Sequence, residues 1–193
     1  PVKNTDGSFA GPTSSLGSSA NETTNPIAMA EYNNAENDRY KINGNLYADF
    51  TLTKGLVFRS ELGYDLNFAK SSSFAPAYTL GNVSELLNKS FKQQDQSFYW
   101  SIKNYLTYTK TFKENHNFTF LLGQEAQESQ YEYLSGYRTG DFLNKDFTNL
   151  NLGDIDTALN QNGSGRWAMT SYISRLNYSF SDRYSFSASL RAD

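Results

Sequence analysis

Side chains that commonly do chemistry are few in this sequence, and their spacing favours no known catalytic arrangement. His116 is the only histidine, and it stands beside a predicted turn, where a solvated histidine is far more common than a catalytic base. Asp154 and Asp156 lie in a glycine-rich stretch, but two carboxylates without the other oxygen ligands of a calcium loop indicate calcium only weakly. Because cysteine is absent, a disulfide framework and a thiolate metal site are excluded. We therefore predict no catalytic residue, no metal site and no cofactor.

A more informative set is formed by charged residues at odd-numbered positions. They alternate with apolar residues at even positions, so in extended strands they would project from the opposite face. The simpler interpretation is a hydrated wall whose charges pair across neighbouring strands. A second interpretation, which stays open, is that some of them line a substrate path. These residues are Arg59, Glu61, Asp65, Lys103, Glu125, Arg175 and Arg191.

The longest element that carries these charges is a predicted hairpin over residues 40–68. Apolar residues occupy nearly every even position in two runs of about 13 residues, and this period of two indicates extended strands with one apolar face. Strands of globular proteins usually have about 5–6 residues. At about 3.4 Å per residue and a tilt near 40°, some 10 residues rise about 25 Å, which is the height of the apolar band of an outer-membrane barrel.

The same alternation recurs in later runs, and the connections between runs alternate between long and short. The later runs are residues 96–109, 116–130, 167–180 and 184–193, the long connections are 1–37, 70–95 and 131–166, and the short ones are 53–55, 110–115 and 181–183. Transmembrane barrels have short periplasmic turns and long extracellular loops. We therefore predict an extracellular loop at 1–37, followed by a barrel-wall segment at 38–193 with long extracellular loops at about 70–95 and 131–166.

The predicted fold class is all-β, an antiparallel transmembrane β-barrel segment of about six long strands. A soluble β-sandwich also alternates, so the period alone leaves that alternative open. The net charge of −3 and the scattered basic residues give no reason to expect nucleic acid as a partner. Since six strands do not close a barrel and open edges in lipid leave backbone groups unpaired, we expect the chain to be part of a longer protein.

In a barrel, the even-numbered positions would face outer-membrane lipid and the odd-numbered positions would face the lumen. Aromatic residues collect near the short turns, as expected of a girdle at the inner membrane interface. The predicted lipid-facing residues are Ile42, Leu46, Phe50, Phe58, Leu62, Trp100, Leu106, Phe118, Phe120, Leu176, Tyr178, Phe186 and Leu190.

Several phrases match a known pattern in their order and spacing. They are NPIA at 25–28, YKINGNLYA at 40–48, GLVFRSELG at 55–63, FTFLLGQEAQE at 118–128, SYISRLNY at 171–178 and DRYSFSASLRAD at 182–193. Together they resemble the SusC/RagA family of TonB-dependent outer-membrane transporters of Bacteroidota. The resemblance covers about residues 25–193, whereas the stretches 71–95 and 131–165 match no pattern.

The resemblance implies a barrel of 22 strands, plugged by an N-terminal domain, in the bacterial outer membrane. It also implies import of oligosaccharides or peptides, driven by TonB, with a surface lipoprotein of SusD type as a lid. On that view the odd-numbered charges either pair with one another and the plug or line the substrate path. Two alternatives stay open: a small structural or adhesive outer-membrane barrel, and a soluble secreted β-sandwich binding module.

Aromatic residues in the predicted loops have two possible roles. They could stack on sugar rings at the extracellular mouth, or they could pack the loops together or against a lid protein. These residues are Phe74, Tyr78, Tyr131, Tyr133, Tyr137 and Phe142.

Overall fold

The computed structural model describes residues 2–12, 25–142, 146–181 and 183–193. Parts of the predicted loops at 1–37 and 131–166, and Asp182 in the predicted turn, therefore lie outside the described residues. The elements are α1 (Pro26–Tyr32), β1 (Asn34–Thr53), β2 (Leu56–Ala75), β3 (Tyr78–Leu80), β4 (Val83–Glu85), β5 (Asn88–Phe112), β6 (His116–Gly140), 3₁₀ helices at Leu150–Leu152 and Ile155–Thr157, β7 (Leu159–Phe180) and β8 (Tyr184–Ala192).

The described long strands form one six-stranded sheet in the order β1-β2-β5-β6-β7-β8, and β3 pairs separately with β4. In the antiparallel β7–β8 pair, Tyr172 lies opposite Ala192 and Phe180 opposite Tyr184. The predicted all-β class and the sheet of about six long strands are confirmed. None of the described helices is long and apolar enough to cross a membrane.

Tight links join the long strands where the sequence predicts short connections. Gly55, with φ +83°, links β1 to β2, and its left-handed backbone is one that glycine adopts without steric cost. Lys113 and Glu114, with φ of 47° and 62°, link β5 to β6. Two successive residues with positive φ are typical of the two-residue turns whose twist matches that of the flanking strands.

The strands are longer than predicted, and this corrects the loop boundaries. β1 begins at Asn34 rather than at residue 38, and much of the predicted loops at 70–95 and 131–166 is strand. The added segments, such as 71–73 and 92–95, are polar at both odd and even positions. A backbone ladder can continue there, but the alternation that reveals a strand in the sequence is lost.

Residues 26–32 form a helix where the sequence analysis expects only a loop. Pro26 occupies the first turn, where its missing N–H is not needed. The Asn25 side chain accepts hydrogen bonds from the N–H groups of Ile27 and Ala28 at 3.1 and 3.3 Å, which makes it the N-cap.

The chain divides into two compact units. The hairpin unit comprises residues 40–68, 96–132 and 164–193, and the loop unit comprises the described residues of 1–39, 69–95 and 133–163. Every buried apolar side chain among the described residues belongs to the loop unit: Ala28, Ala69, Phe74, Leu80 and Phe142. Only the loop unit therefore has a core of the kind seen in soluble proteins.

Polar side chains and stacked rings join the connections of the loop unit. The rings of Phe74 and Phe142 meet edge to face at 5.7 Å. Asn88 accepts from the Ala77 N–H at 2.8 Å and donates to the Gly140 carbonyl at 3.0 Å. Because Phe74 and Phe142 are 3% and 6% exposed, these two predicted loop aromatics pack the loops together.

The segment at residues 2–12 is part of the same packing. Asn25 donates from its side chain to the carbonyls of Val2 and Ala10 at 2.8 and 3.0 Å. Tyr32 lies between Phe9 and Tyr78, with ring centroids 5.7 and 5.5 Å away. The single residue Asn25 thus caps α1 and holds a segment that lies 15 to 23 positions earlier in the sequence.

Candidate functional site

Side-chain contacts within the hairpin unit sort the residues by odd and even number, as two-faced strands require. Thr109 contacts Thr119 at 3.5 Å and Arg59 binds Asp49, which pairs odd with odd. Phe50 packs on Phe58 at 6.3 Å between ring centroids, which pairs even with even. We call these surfaces the odd face and the even face.

The odd face carries ion pairs between β1 and β2. Arg59 donates twice to Asp49, from Nε at 2.6 Å and from Nη2 at 2.7 Å, and lies 3.8 Å from Glu61. Lys41 pairs with Asp65 at 2.9 Å. These side chains are substantially exposed, so the pairs order the surface and contribute little to the free energy of unfolding.

A second odd-face network surrounds Glu125. Its carboxylate accepts a hydrogen bond from the Tyr105 hydroxyl and lies 3.5 Å from the Arg191 guanidinium. Arg191 also donates to Ser171 Oγ at 2.9 Å and to Asp193 at 2.7 Å. The Glu125 side chain is only 14% accessible, and a charge so little exposed to solvent needs partners in the protein. Tyr105 of β5 and Arg191 of β8 are these partners.

Lys103 and Arg175 differ from the other predicted lumen residues. Among the described residues, neither forms an ion pair, whereas Arg59, Glu61, Asp65, Glu125 and Arg191 all do. The paired residues match the interpretation of a hydrated wall. The two cations have charge left for another partner. That the odd face lines a lumen stays a prediction.

The even face presents apolar side chains outward instead of burying them. Leu46, Phe186 and Leu190 are 64%, 59% and 72% exposed. Ile42, Phe50, Leu62 and Phe120 are exposed as well, while the rest of the predicted lipid-facing set is half-buried between its neighbours: Phe58, Trp100, Leu106, Phe118, Leu176 and Tyr178. A soluble protein rarely exposes so continuous an apolar surface. Its contact with lipid stays a prediction.

An aromatic cluster lies on the even face beside the short turns. Phe118 packs on Tyr178 at 4.6 Å and on Phe112 at 5.7 Å, and His116 packs on Phe180 at 4.8 Å. His116 Nδ1 is 2.8 Å from the Tyr178 hydroxyl. Because its ring packs on Phe180 and its Nδ1 lies beside the Tyr178 hydroxyl, His116 has a packing role here. Rings with a polar tip are typical of a membrane interface. No group of metal-binding side chains occurs among the described residues.

Two features of the hairpin unit were missed in the sequence analysis. Glu128 and Arg166 occupy even positions yet form a bidentate ion pair at 2.8 and 2.9 Å. Their charges at positions that are otherwise mostly apolar were the signal in the sequence that could have revealed this pair. Tyrosine rings also lie over glycines, and a Cβ on Gly123 would be 2.7 Å from the Tyr105 ring. Gly44 and Gly165 lie in the same way under Tyr64 and Tyr131.

The loop unit also contains an ion pair, between Lys89 and Glu85. Lys89 donates to Glu85 at 2.5 Å. This hydrogen bond lowers the pKa of the Glu85 carboxyl and raises the pKa of the Lys89 ammonium. The pair therefore holds β4 to the start of β5 at neutral pH.

With an outward apolar face, a charged opposite face and short turns at one end, the described sheet has the architecture of part of an outer-membrane β-barrel wall. No protein-family model matches the chain. TonB-dependent receptor P39 of Formosa agariphila is 28% identical over 172 residues, which cover 88% of this chain and 16% of the receptor. TonB-dependent receptor P26 of the same organism is 27% identical over 189 residues, covering 95% of this chain and 18% of that receptor.

Solved structures give the same result. A structure of the RagAB peptide transporter matches 97% of this chain and 21% of that chain, with a TM-score of 0.83 and 23% identity. The RagAB peptide importer in its 'open-open' state matches with a TM-score of 0.80 and 22% identity. The chain thus spans about a fifth or less of the proteins it matches. The resemblance to TonB-dependent receptors and the location in the bacterial outer membrane are confirmed, and the solved structures confirm the fold.

Proposed function

We propose that this chain is part of the barrel wall of a TonB-dependent transporter that imports oligosaccharides or peptides across the bacterial outer membrane. The observation that carries the proposal is the division of the hairpin unit into an exposed apolar face and an ion-paired face. A lipid-embedded wall around a water-filled lumen needs both faces. The similarity to proteins named TonB-dependent receptors supports the same conclusion.

The transport mechanism needs no covalent chemistry from this chain, so we propose that it is not an enzyme. Substrate would bind at the outer loops and the lumen, and energy-coupled movement of the plug would then release it inward. TonB would act through the plug, and a SusD-type surface lipoprotein would close over the loops. The ion pairs around Arg59 and Glu125 would hold the wall, while Lys103 and Arg175 would contact anionic groups of the passing substrate or of the plug.

Peptide and oligosaccharide substrates are both compatible with the described residues. The structures of RagAB are named as those of a peptide transporter and importer, which supports peptides, and the family resemblance supports either class. A small structural or adhesive barrel is less well supported, because the named relatives are receptors.

Uptake measurements in the source bacterium test the proposal. Deleting the gene of the intact protein should abolish uptake of at least one fluorescent oligosaccharide or peptide, and a protonophore or loss of TonB should abolish it in the wild type. Uptake that persists in all three conditions for every tested substrate would contradict transport.

Variants of the intact transporter then test the odd face. Replacing Lys103 and Arg175 by Gln should reduce uptake of an anionic substrate while leaving the amount of protein in the membrane unchanged. Lys113→Gln, in the exposed turn between β5 and β6, is the matched control. An equal effect of the turn variant would remove Lys103 and Arg175 from the proposed substrate path.

A further inference from the structure

A groove of 620 Å³ crosses the even face at the end of the hairpin unit opposite the short turns. Leu66, Phe68 and Phe98 form its apolar wall, and Gln96, Glu132 and Arg166 form its polar wall. A site with an apolar side and a hydrogen-bonding side fits an amphiphile better than it fits either a wholly polar or a wholly apolar ligand.

The polar wall is held in place by its own hydrogen bonds. Glu128 is 8% exposed, and its two carboxylate oxygens pair with the guanidinium of Arg166. The Gln130 side chain donates a hydrogen bond to the same carboxylate. Gln96 donates to Glu132 in the same way. The Arg166 side chain nevertheless remains 66% accessible, so its fixed guanidinium still offers donors to the groove.

The groove lies at the level where the even face changes from apolar to polar. The even positions change from apolar to polar between Phe98 and Gln96 in β5. The same change occurs between Ala126 and Glu128 in β6 and between Ala168 and Arg166 in β7. These strands are neighbours in the sheet. From Phe118, in the aromatic cluster beside the turns, to Glu128 the rise is about 26 Å at about 3.4 Å per residue and a tilt near 40°.

That rise matches an apolar membrane band of about 25 Å. The groove therefore lies where headgroups of the outer leaflet meet hydrocarbon. This position rests on the proposed function, since it requires the even face to contact lipid.

We propose that the groove binds a lipid of the outer leaflet through a neutral saccharide headgroup. Guanidinium groups donate to sugar hydroxyls, carboxylates accept from them, and side-chain amides do both. The acyl chains would lie on Leu66, Phe68 and Phe98. The carboxylates of Glu128 and Glu132 outnumber the guanidinium of Arg166, so a phosphate headgroup would meet net negative charge and bind less well.

Native mass spectrometry of the intact transporter in detergent tests this site. The probes are monogalactosyl diacylglycerol, phosphatidic acid with the same acyl chains, and free methyl galactoside. We expect the glycolipid to bind about tenfold more tightly than phosphatidic acid, because the phosphate of that lipid meets the two carboxylates, and tenfold is the size of one hydrogen bond to a charged group. We expect no measurable binding of the free sugar.

Two variants of the polar wall and one matched control make the test specific. Arg166→Gln and Gln96→Leu should each reduce the preference for glycolipid about tenfold. Gln127→Leu removes the same side chain from the odd face and should leave the preference unchanged. Equal binding of both lipids, preference unaffected by both wall variants, or equal binding of the free sugar would each overturn the lipid site.

Thiol labelling separates this inference from the proposed function. In a background without other reactive cysteines, Phe120→Cys should be shielded from a water-soluble maleimide in membranes, and Thr119→Cys should be labelled through the lumen. The reverse result would overturn the assignment of the even face to lipid, and the glycolipid site with it. Shielding of Phe120→Cys without glycolipid preference would overturn the glycolipid site alone.

Discussion

The loop unit and the hairpin unit share the strands β1, β2, β5, β6 and β7, yet they place their apolar side chains in opposite ways. The loop unit buries them, as Phe74 and Phe142 show, whereas the hairpin unit exposes Leu46, Phe120 and other even-face residues. With the even face in contact with lipid, as proposed above, both arrangements remove apolar surface from water. The comparison shows that the same strands contribute to a buried apolar core in one unit and to an exposed apolar face in the other.

The two units also differ in how they satisfy polar groups. In the hairpin unit, ionic side chains pair across the odd face, as in Arg59–Asp49. In the loop unit, short amide and hydroxyl side chains reach backbone carbonyls; the fully buried Ser90 donates to the Thr148 carbonyl at 2.7 Å. Such bonds replace ladder hydrogen bonds where the backbone is irregular, so the loop unit depends on individual residues more than the hairpin unit does.

The largest expected effect is that of truncating the loop core. Phe142→Ala removes the partner of Phe74 and should cost about 3–5 kcal/mol of the free energy of unfolding of the loop unit. Hydrogen exchange and limited proteolysis in residues 69–95 and 133–163 should accelerate, while residues of the hairpin unit keep their protection. Phe147→Ala, at a position that is 51% exposed, is the control. Equal loss of protection in both units would show that the core around Phe142 does not stabilise the loop unit separately.

Charge on the even face should have the next largest effect. Leu122→Arg in the intact protein should lower the free energy of unfolding in lipid vesicles by about 2–4 kcal/mol, the cost of an arginine near the bilayer midplane. Thr107→Arg places the same residue on the odd face of the neighbouring strand β5 and should cost much less. Denaturant titration measures both costs, and a larger cost for Thr107→Arg would contradict the assignment of the two faces.

A smaller effect is expected where a ring covers a glycine. Gly123→Ala places a Cβ in the Tyr105 ring, which must move and lose its hydrogen bond to Glu125. We expect a cost of about 1–3 kcal/mol in the same denaturant titration. The double variant with Tyr105→Ala should cost less than the sum of the two single changes, because both remove one contact. Strict additivity would show that ring and glycine do not interact.

The smallest expected effect is loss of the α1 cap. Asn25→Ala should destabilise the helix by about 1 kcal/mol and also release the carbonyls of Val2 and Ala10. Protease cleavage within residues 2–12 should increase, with no change in the hairpin unit. Asn33→Ala, at the other end of α1, is the matched control. Asn33 caps the helix with its backbone N–H, which donates to the Met29 carbonyl and is kept in the alanine variant. Equal cleavage rates in the two variants would contradict the role of Asn25 in holding residues 2–12 to the loop unit.

Much of the hairpin unit could be predicted from the sequence because one of its faces is apolar and the other is charged. The alternation at residues 40–68 indicated both strands and the link at Gly55. The ion pair of Arg59 with Asp49 follows from two odd positions on either side of that link. The pairing of Glu125 with Arg191 did not follow, since it joins β6 and β8 across an intervening strand.

The loop unit was harder to predict because its core is assembled from distant segments. Phe74 and Phe142 are 68 positions apart in the numbering, and their contact leaves no periodic signal in the sequence. Pro26 marked the end of a loop, but a proline at the first helical position is equally compatible with a helix. Tertiary packing and the Asn25 cap decide between the two.

The apolar band of the even face also has a consequence for hydrophobic matching. Its rise of about 26 Å is less than the hydrocarbon thickness of about 30 Å in a typical bilayer. A thicker membrane would have to thin around it or cover polar side chains such as Glu128 and Arg166, and each ångström of mismatch carries a free-energy cost. With the even face in contact with lipid, as proposed above, the strands would favour the thin bacterial outer membrane over a thicker bilayer.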